Sequence, residues 1–161
     1  MPAHVFLQNA ARWFAVTPLT RVKFSASRVW EPRLGTYTWW AEPLFASPLL
    51  SRPESIDPEA LELAPRHIEL LAAHPDLSRL RELVLADNEI GSDGVIALAA
   101  MPQLRNLKVL DLRINRITAR GARALAHSEQ PGHLGELCLG KNAIRARAWA
   151  ALELRFGGAL H

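Results

Sequence analysis

Leu80-Arg81-Glu82-Leu83-Val84-Leu85-Ala86-Asp87-Asn88-Glu89-Ile90 is answered further on by Leu107-Lys108-Val109-Leu110-Asp111-Leu112-Arg113-Ile114-Asn115-Arg116-Ile117. An equal step beyond that brings Leu134-Gly135-Glu136-Leu137-Cys138-Leu139-Gly140-Lys141-Asn142-Ala143-Ile144. Each copy reads Leu-x-x-Leu-x-Leu-x-x-Asn-x-Ile, and the spacing from Asn88 to Asn115 to Asn142 sets the period. The stretch that follows keeps the step, with Gly94-x-x-Ala97-Leu98 returning as Gly121-x-x-Ala124-Leu125 and Leu152 taking the next place. A strand has a period of two, so the second and third leucines of each copy point to one side. Glu82, Val84 and Ala86, then Val109, Asp111 and Arg113, then Glu136, Cys138 and Gly140 point to the other. Each unit is one strand and one helix, too small to bury its own apolar face, and stacking neighbours supply the core.

Working back from this stretch, Leu44-x-x-x-Pro48-x-Leu50 matches Leu71-x-x-x-Pro75-x-Leu77 and Leu98-x-x-x-Pro102-x-Leu104, so the register runs further towards the N-terminus. One period before Leu80, Leu83 and Leu85 stand Pro53, Ile56 and Pro58. Prolines remove ladder donors, and the expectation is a short or absent strand there, followed by a helix over 65–73. Leu19 to Phe24 alternates as a first strand. The span from Val22 to Ile56 is longer than one period, which assigns a bulge to positions 25–40 and irregular chain to 28–37 around Pro32 and Gly35. Positions 38–46 are expected to be helical in their second half. Val5, Phe6, Ala10, Trp13 and Phe14 have helical spacing and predict an N-terminal helix covering one open end of the stack. Beyond Leu152, Gly157 is expected as a helix C-cap and positions 159–161 as a short edge strand. The organisation expected is a capping and degenerate region, 1–76, continuous with three regular repeats and a cap, 77–161.

In a turn after each strand, Asn88, Asn115 and Asn142 are placed to satisfy backbone groups of neighbouring repeats. Gly94 and Gly121 let successive helices approach closely. In the last unit Ala148 stands in their place and Trp149 follows.

Composition narrows the function. About half of the 161 residues are apolar, enough for a core without metal or disulfide help. The single Cys138 makes no internal disulfide, which fits a reducing compartment, and the N-terminal stretch lacks the basic region of a signal peptide; a cytoplasmic location is expected. The net charge of +3 is unevenly spread: 9 Lys and Arg against 12 Asp and Glu up to Gln103, then 10 against 4 from Leu104 onward. Such asymmetry is a solvated surface or the mark of an anionic partner.

No arrangement for catalysis stands out. His4, His67, His74, His127, His133 and His161 form no close ligand pair, and no phosphate-binding glycine motif occurs, so neither metal nor cofactor is expected. Cys138 has no histidine beside it by spacing. Trp30, Trp39 and Trp40 crowd the insertion, where covering the open core is weighed above an exposed contact. The best charged feature is Arg116, Arg120, Arg145 and Arg147, at equivalent places between strand and helix, with Arg123 one turn on. Cations at a helix N-terminus oppose its dipole, so these five are candidates for holding an anion. Nucleic acid is the weaker reading of the cluster, because no aromatic residue interleaves with it.

The pattern resembles the leucine-rich repeat, and the long unit ending in Gly-x-x-Ala-Leu is similar to the ribonuclease-inhibitor type over positions 80–156. Phe45-Ala46-Ser47-Pro48-Leu49-Leu50 and Ala151-Leu152-x-x-Arg155-Phe156-Gly157 look like bacterial repeat-companion leucine-rich-repeat proteins. Those proteins usually begin with a further small domain that is not found here, so a fragment or a shortened relative is expected. The resemblance implies an α/β solenoid, a short right-handed horseshoe with parallel strands on its concave face and helices on its convex face. It also implies a non-catalytic scaffold that binds a protein through the concave residues Glu82, Val84, Ala86, Val109, Asp111, Arg113, Glu136 and Cys138. A regulator of a nucleotide-dependent enzyme, of the GTPase-activating type, is the alternative, because similar repeats occur in that class. Five strands at ~4.8 Å spacing make a strip only about 20–25 Å across, so loops or a homodimer through an open end would have to enlarge the contact.

Overall fold

Three-residue strands recur wherever the Leu-x-x-Leu-x-Leu pattern does, and each is followed by a helix. In a computed structural model, residues 3–16, 19–24, 29–31, 36–38, 41–130 and 133–161 are described. Their order is α1 (Ala3–Val16), β1 (Arg21–Lys23), β2 (Val29–Glu31), β3 (Thr36–Thr38), α2 (Ala41–Phe45), β4 (Ser55–Asp57), α3 (Pro65–Ala72), β5 (Glu82–Val84), α4 (Gly91–Ala99), β6 (Val109–Asp111), α5 (Ala119–His127), β7 (Glu136–Cys138) and α6 (Ala146–Phe156). Short 3-10 turns begin at Pro48 and Pro102, where the fixed proline φ starts a turn and the missing N–H costs nothing.

The main sheet is parallel throughout in the order β1-β4-β5-β6-β7. Val22 aligns with Ile56, Ile56 with Leu83, Leu83 with Leu110 and Leu110 with Leu137, so one inward residue per strand forms a continuous file. All five are at most 1% exposed. Burying each such side chain contributes about 1.5–3 kcal/mol, and this file, flanked by Leu85, Leu112 and Leu139, is the spine of the core. Helices α3 to α6 pack side by side in chain order behind it. This is the parallel α/β solenoid that the resemblance to leucine-rich repeats implies.

Two local expectations are corrected. The strand between Pro53 and Pro58 is present and as long as its neighbours. The prolines flank the ladder instead of interrupting it: Glu54 and Ser55 donate to Thr20 O at 2.7 and 2.9 Å, and Phe24 donates to Asp57 O at 2.8 Å. Within the segment expected to be irregular, β2 and β3 pair antiparallel, Trp30 opposite Tyr37. Pro32, Gly35, Trp39, Trp40 and the side chain of Trp30 lie outside the described residues. At the N-terminal end Ala10 is buried, Trp13 and Phe14 pack against the core, and α1 contacts α2, so this helix does cover that end. At the other end Gly157 caps α6 at φ +49°, and Leu160 bridges Leu137, with His161 N donating to Leu137 O at 2.8 Å.

The asparagines tie each turn to the one before. Asn88 Oδ1 accepts from the N–H groups of Leu61 and Leu63 at 3.0 and 2.9 Å, and its Nδ2 donates to Pro58, Leu85 and Ala86 carbonyls. Asn115, wholly buried, donates to Leu85 O and Arg113 O and accepts from Ile90 N. Asn142 accepts from Asn115 N and Ile117 N and donates to Leu112 O and Leu139 O. Among the described residues no helix is long and apolar enough to cross a membrane.

Candidate functional site: the strand face and the loop rim

Because the strands are in register, their outward residues form columns. The first runs Arg21, Ser55, Glu82, Val109, Glu136. Small, buried Ser55 lets the Arg21 guanidinium pass over β4 and reach Glu82 Oε2 at 2.5 Å. In the next column Lys23 pairs with Asp57, and Val84, Asp111 and Cys138 follow on β5 to β7. Lys23 Nζ lies 2.9 Å from both Asp57 Oδ2 and Glu59 Oε2, and these hydrogen bonds, Asp57 first, push its pKa up.

Asp111 sits on β6, the fourth of the five strands, and is only 4% exposed. Its carboxylate takes Arg113 Nε at 2.9 and 3.0 Å and Nη2 at 2.5 Å, a forked pair of the kind that fixes a guanidinium in one orientation. The same carboxylate holds the Arg113 ion above its usual pKa. Cys138 Sγ is 3.3 Å from Glu136 Oε1. Burial, and then the glutamate, push the thiol up to about 11, so near neutral pH it stays protonated and a poor nucleophile.

The residues expected to offer contacts on this face therefore divide. Arg113 and Glu136 are exposed, and Glu82, Val84 and Val109 are half-buried. Ala86, Asp111 and Cys138 are buried, at 2, 4 and 8% exposure, which corrects their expected place on an open surface. Outward direction on a strand is not exposure when the neighbouring side chain lies across it, as Arg113 does over Asp111. Arg21, Lys23, Asp57 and Glu59 join the face unannounced. Discounting the strand between the prolines hid Asp57, although one period back from Val84 lands on it.

The second surface is the rim where strands give way to helices. Ala60, Asp87, Ile114 and Lys141, which occupy the same place in successive repeats, all hold φ between +54° and +58°. For a β-branched residue such as Ile114 this conformation is unfavourable. It is retained because the turn must bring each asparagine, or Leu61 in the first case, into the core. Ile114 is left 40% exposed in a groove of about 650 Å³ with Asp87, Glu89, Arg116 and Lys141.

Further along the rim Arg116 pairs with Glu89 at 2.6 Å, and Arg120 pairs with Asp93. Each arginine thus meets the acid one repeat before it. Between them Thr118 Oγ1 caps α5 at Arg120 N and bonds Ser92 Oγ at 2.9 Å. The α5–α6 junction differs. Arg120, Arg123, Arg145 and Arg147 line one cleft of about 580 Å³, walled by Thr118, Ala143 and Ala148 among others. The five arginines expected together thus separate into Arg116, held in the other groove, and a group of four.

His67 and His74 are structural. His67 Nδ1 accepts from Ala64 N at 2.8 Å at the start of α3, and burial lowers its pKa. His74 bonds Ser47 O through Nε2 at 3.1 Å. Among the described residues no three His, Cys, Asp or Glu side chains come together as a metal ion would require.

A family model described as Leucine Rich repeat matches residues 78–99 and 103–126. The two matched repeats are leucine-rich repeats. The matched segments carry Leu83 and Leu85 with α4, and Leu110 and Leu112 with α5, the most regular part of the solenoid. No curated protein matches the chain. Leucine-rich repeats are commonly protein-interaction modules.

Proposed function

We propose that this protein is a non-catalytic scaffold that binds a protein partner through its strand face, with repeats of the ribonuclease-inhibitor type forming one binding unit. The observation that supports this reading is the ion-paired order of the face. Arg21 with Glu82, Lys23 with Asp57 and Glu59, and Arg113 with Asp111 hold long side chains in place before any partner arrives. Side chains already ordered lose less entropy on association. Arg113 and Glu136 are the exposed anchors, and Glu82, Val84 and Val109 supply half-buried surroundings. A strip of this width falls short of the ~800 Å² per partner of a standard interface, so the contact extends onto the rim. The lone buried thiol fits a reducing compartment, and the reading places partner and protein in the cytoplasm.

The test is affinity capture with wild type, Arg113→Glu/Glu136→Arg, and a helix-side control, Glu153→Arg. Loss of the same captured protein from the strand-face variant alone is the expected result. Capture that survives in that variant but fails in the control would sink the reading.

A further inference from the structure

We propose that the cleft between α5 and α6 takes an acidic peptide segment of a protein partner, whose carboxylates pair with Arg123, Arg145 and Arg147. The proposal extends to a site separate from the strand face. It rests first on a broken pattern. One repeat earlier, the rim arginines are neutralised in register, Arg116 by Glu89 and Arg120 by Asp93. Moving each position on by one repeat places Ala143 beside Arg116 and Arg147 beside Arg120. The column Asp93, Arg120, Arg147 therefore ends in two arginines at successive rim positions, Arg120 turned to Asp93 and both lining the cleft. Arg123, one turn after Arg120, and Arg145, at the start of α6, face the same cleft. Among the described residues no carboxylate lies within ion-pair distance of Arg123, Arg145 or Arg147.

The surroundings supply no substitute. From Leu104 onward the acids are Asp111, Glu129, Glu136 and Glu153. Asp111 is committed to Arg113, and Glu136 lies on the strand face by Cys138. Like charges gathered in a recess are costly unless an anion joins them, and guanidinium forks suit carboxylates in two-point geometry. The rim itself shows the preferred counterpart, since the carboxylates of Glu89 and Asp93 already hold its other arginines.

Cleft shape favours a peptide over other anions. At about 580 Å³ the space exceeds one carboxylate or phosphate and fits a few side chains. Its walls are Ala119, Ala143 and Ala148 with Thr118, and no aromatic side chain lines it to serve as a stacking platform for bases. It is also confined to one gap between helices, where a nucleic-acid backbone would need a track of cations.

The test is fluorescence anisotropy of the full chain with a labelled oligoglutamate peptide, beside a labelled oligothymidylate of equal length and with inorganic phosphate as competitor. Binding of the peptide in preference to the oligonucleotide, weakening as salt rises, is expected. Arg145→Glu/Arg147→Glu should weaken it by roughly tenfold or more, as loss of close charge pairs does. Arg123→Gln, the milder change, should weaken it less, with an unaltered thermal midpoint showing that the fold is kept. Arg113→Glu/Glu136→Arg should leave peptide binding intact, so this site and the strand face fail separately. No binding, binding unchanged by both cleft variants, tighter binding of oligothymidylate, or full competition by phosphate at concentrations near that of the protein would each overturn the proposal.

Discussion

The α4–α5 and α5–α6 junctions are built on one register yet present different surfaces. Inside, they match: Leu83 on Leu110 in one, Leu110 on Leu137 in the other, each joined by an asparagine. At the rim they part. The first junction is closed by Asp93 with Arg120, Glu89 with Arg116 and Ser92 with Thr118. The second sets Arg147 against Arg120 and Arg145 after Thr118. The lesson is that the repeat constrains only the positions whose side chains enter the stack, and that rim positions are free to carry recognition.

If the shared interior is what makes the junctions alike, damage there should be the most severe. Asn115→Ala would strand the N–H of Ile90 in a wholly buried place and take one donor each from the Leu85 and Arg113 carbonyls, which keep Asn88 Nδ2 and Asp87 N. A loss of about 1–3 kcal/mol is expected, the usual cost of unsatisfied buried groups. Asn142→Ala should cost less, at about 1 kcal/mol, because Asn142 is half-buried and water can replace part of its bonding. Urea midpoints of the two variants measure the difference. Equal losses would mean that the last turn is as closed as the middle one.

A finer distinction lies at the helix contact. A Cβ added at Gly121 would meet Ile117 Cγ2 at 3.0 Å and Ser92 Cα at 3.1 Å, whereas the equivalent residue of α6 is already Ala148, whose methyl lines the arginine cleft. Gly121→Ala should therefore destabilise by about 1–3 kcal/mol through overpacking. Ala148→Gly should cost about 1 kcal/mol, mainly through helix propensity. A Gly121→Ala variant as stable as wild type would show that α5 can move off α4 and that the first junction is not closed by glycine.

This division explains how much could be read from the residues. Leucine, asparagine and glycine positions are dictated by the stack, so strands, helices and the Asn88–Asn115–Asn142 ties were legible as spacing. Pro53 and Pro58 misled because proline forbids donation without forbidding a neighbour's strand, and it is Glu54 and Ser55, between the two prolines, that donate to Thr20 O. Exposure was legible least. That Asp111 and Cys138 point outward follows from alternation, but that they are buried depends on how far Arg113 and Glu136 lie across them. The rim arginines were visible as a group. Which of them were already neutralised depended on the one-repeat offset to Glu89 and Asp93, a pairing that spacing contains but charge counting does not.

The smallest effect expected bears directly on that pairing. Asp93→Arg would give the first junction the charge pattern of the second, placing a cation in the first turn of α4 and freeing Arg120. Surface pairs are worth about 0–1 kcal/mol, and a cation replacing an anion beside a helix N-terminus costs a few tenths more. Arg147→Glu makes the opposite change, putting an acid in the first turn of α6 beside Arg120, and should raise stability by a few tenths of a kcal/mol. Thermal midpoints at low salt should therefore move in opposite directions for the two variants and converge as salt is added. If Arg147→Glu instead lowers the midpoint, Arg147 holds the last helix in place, and the second junction is a structural contact that only looks unpaired.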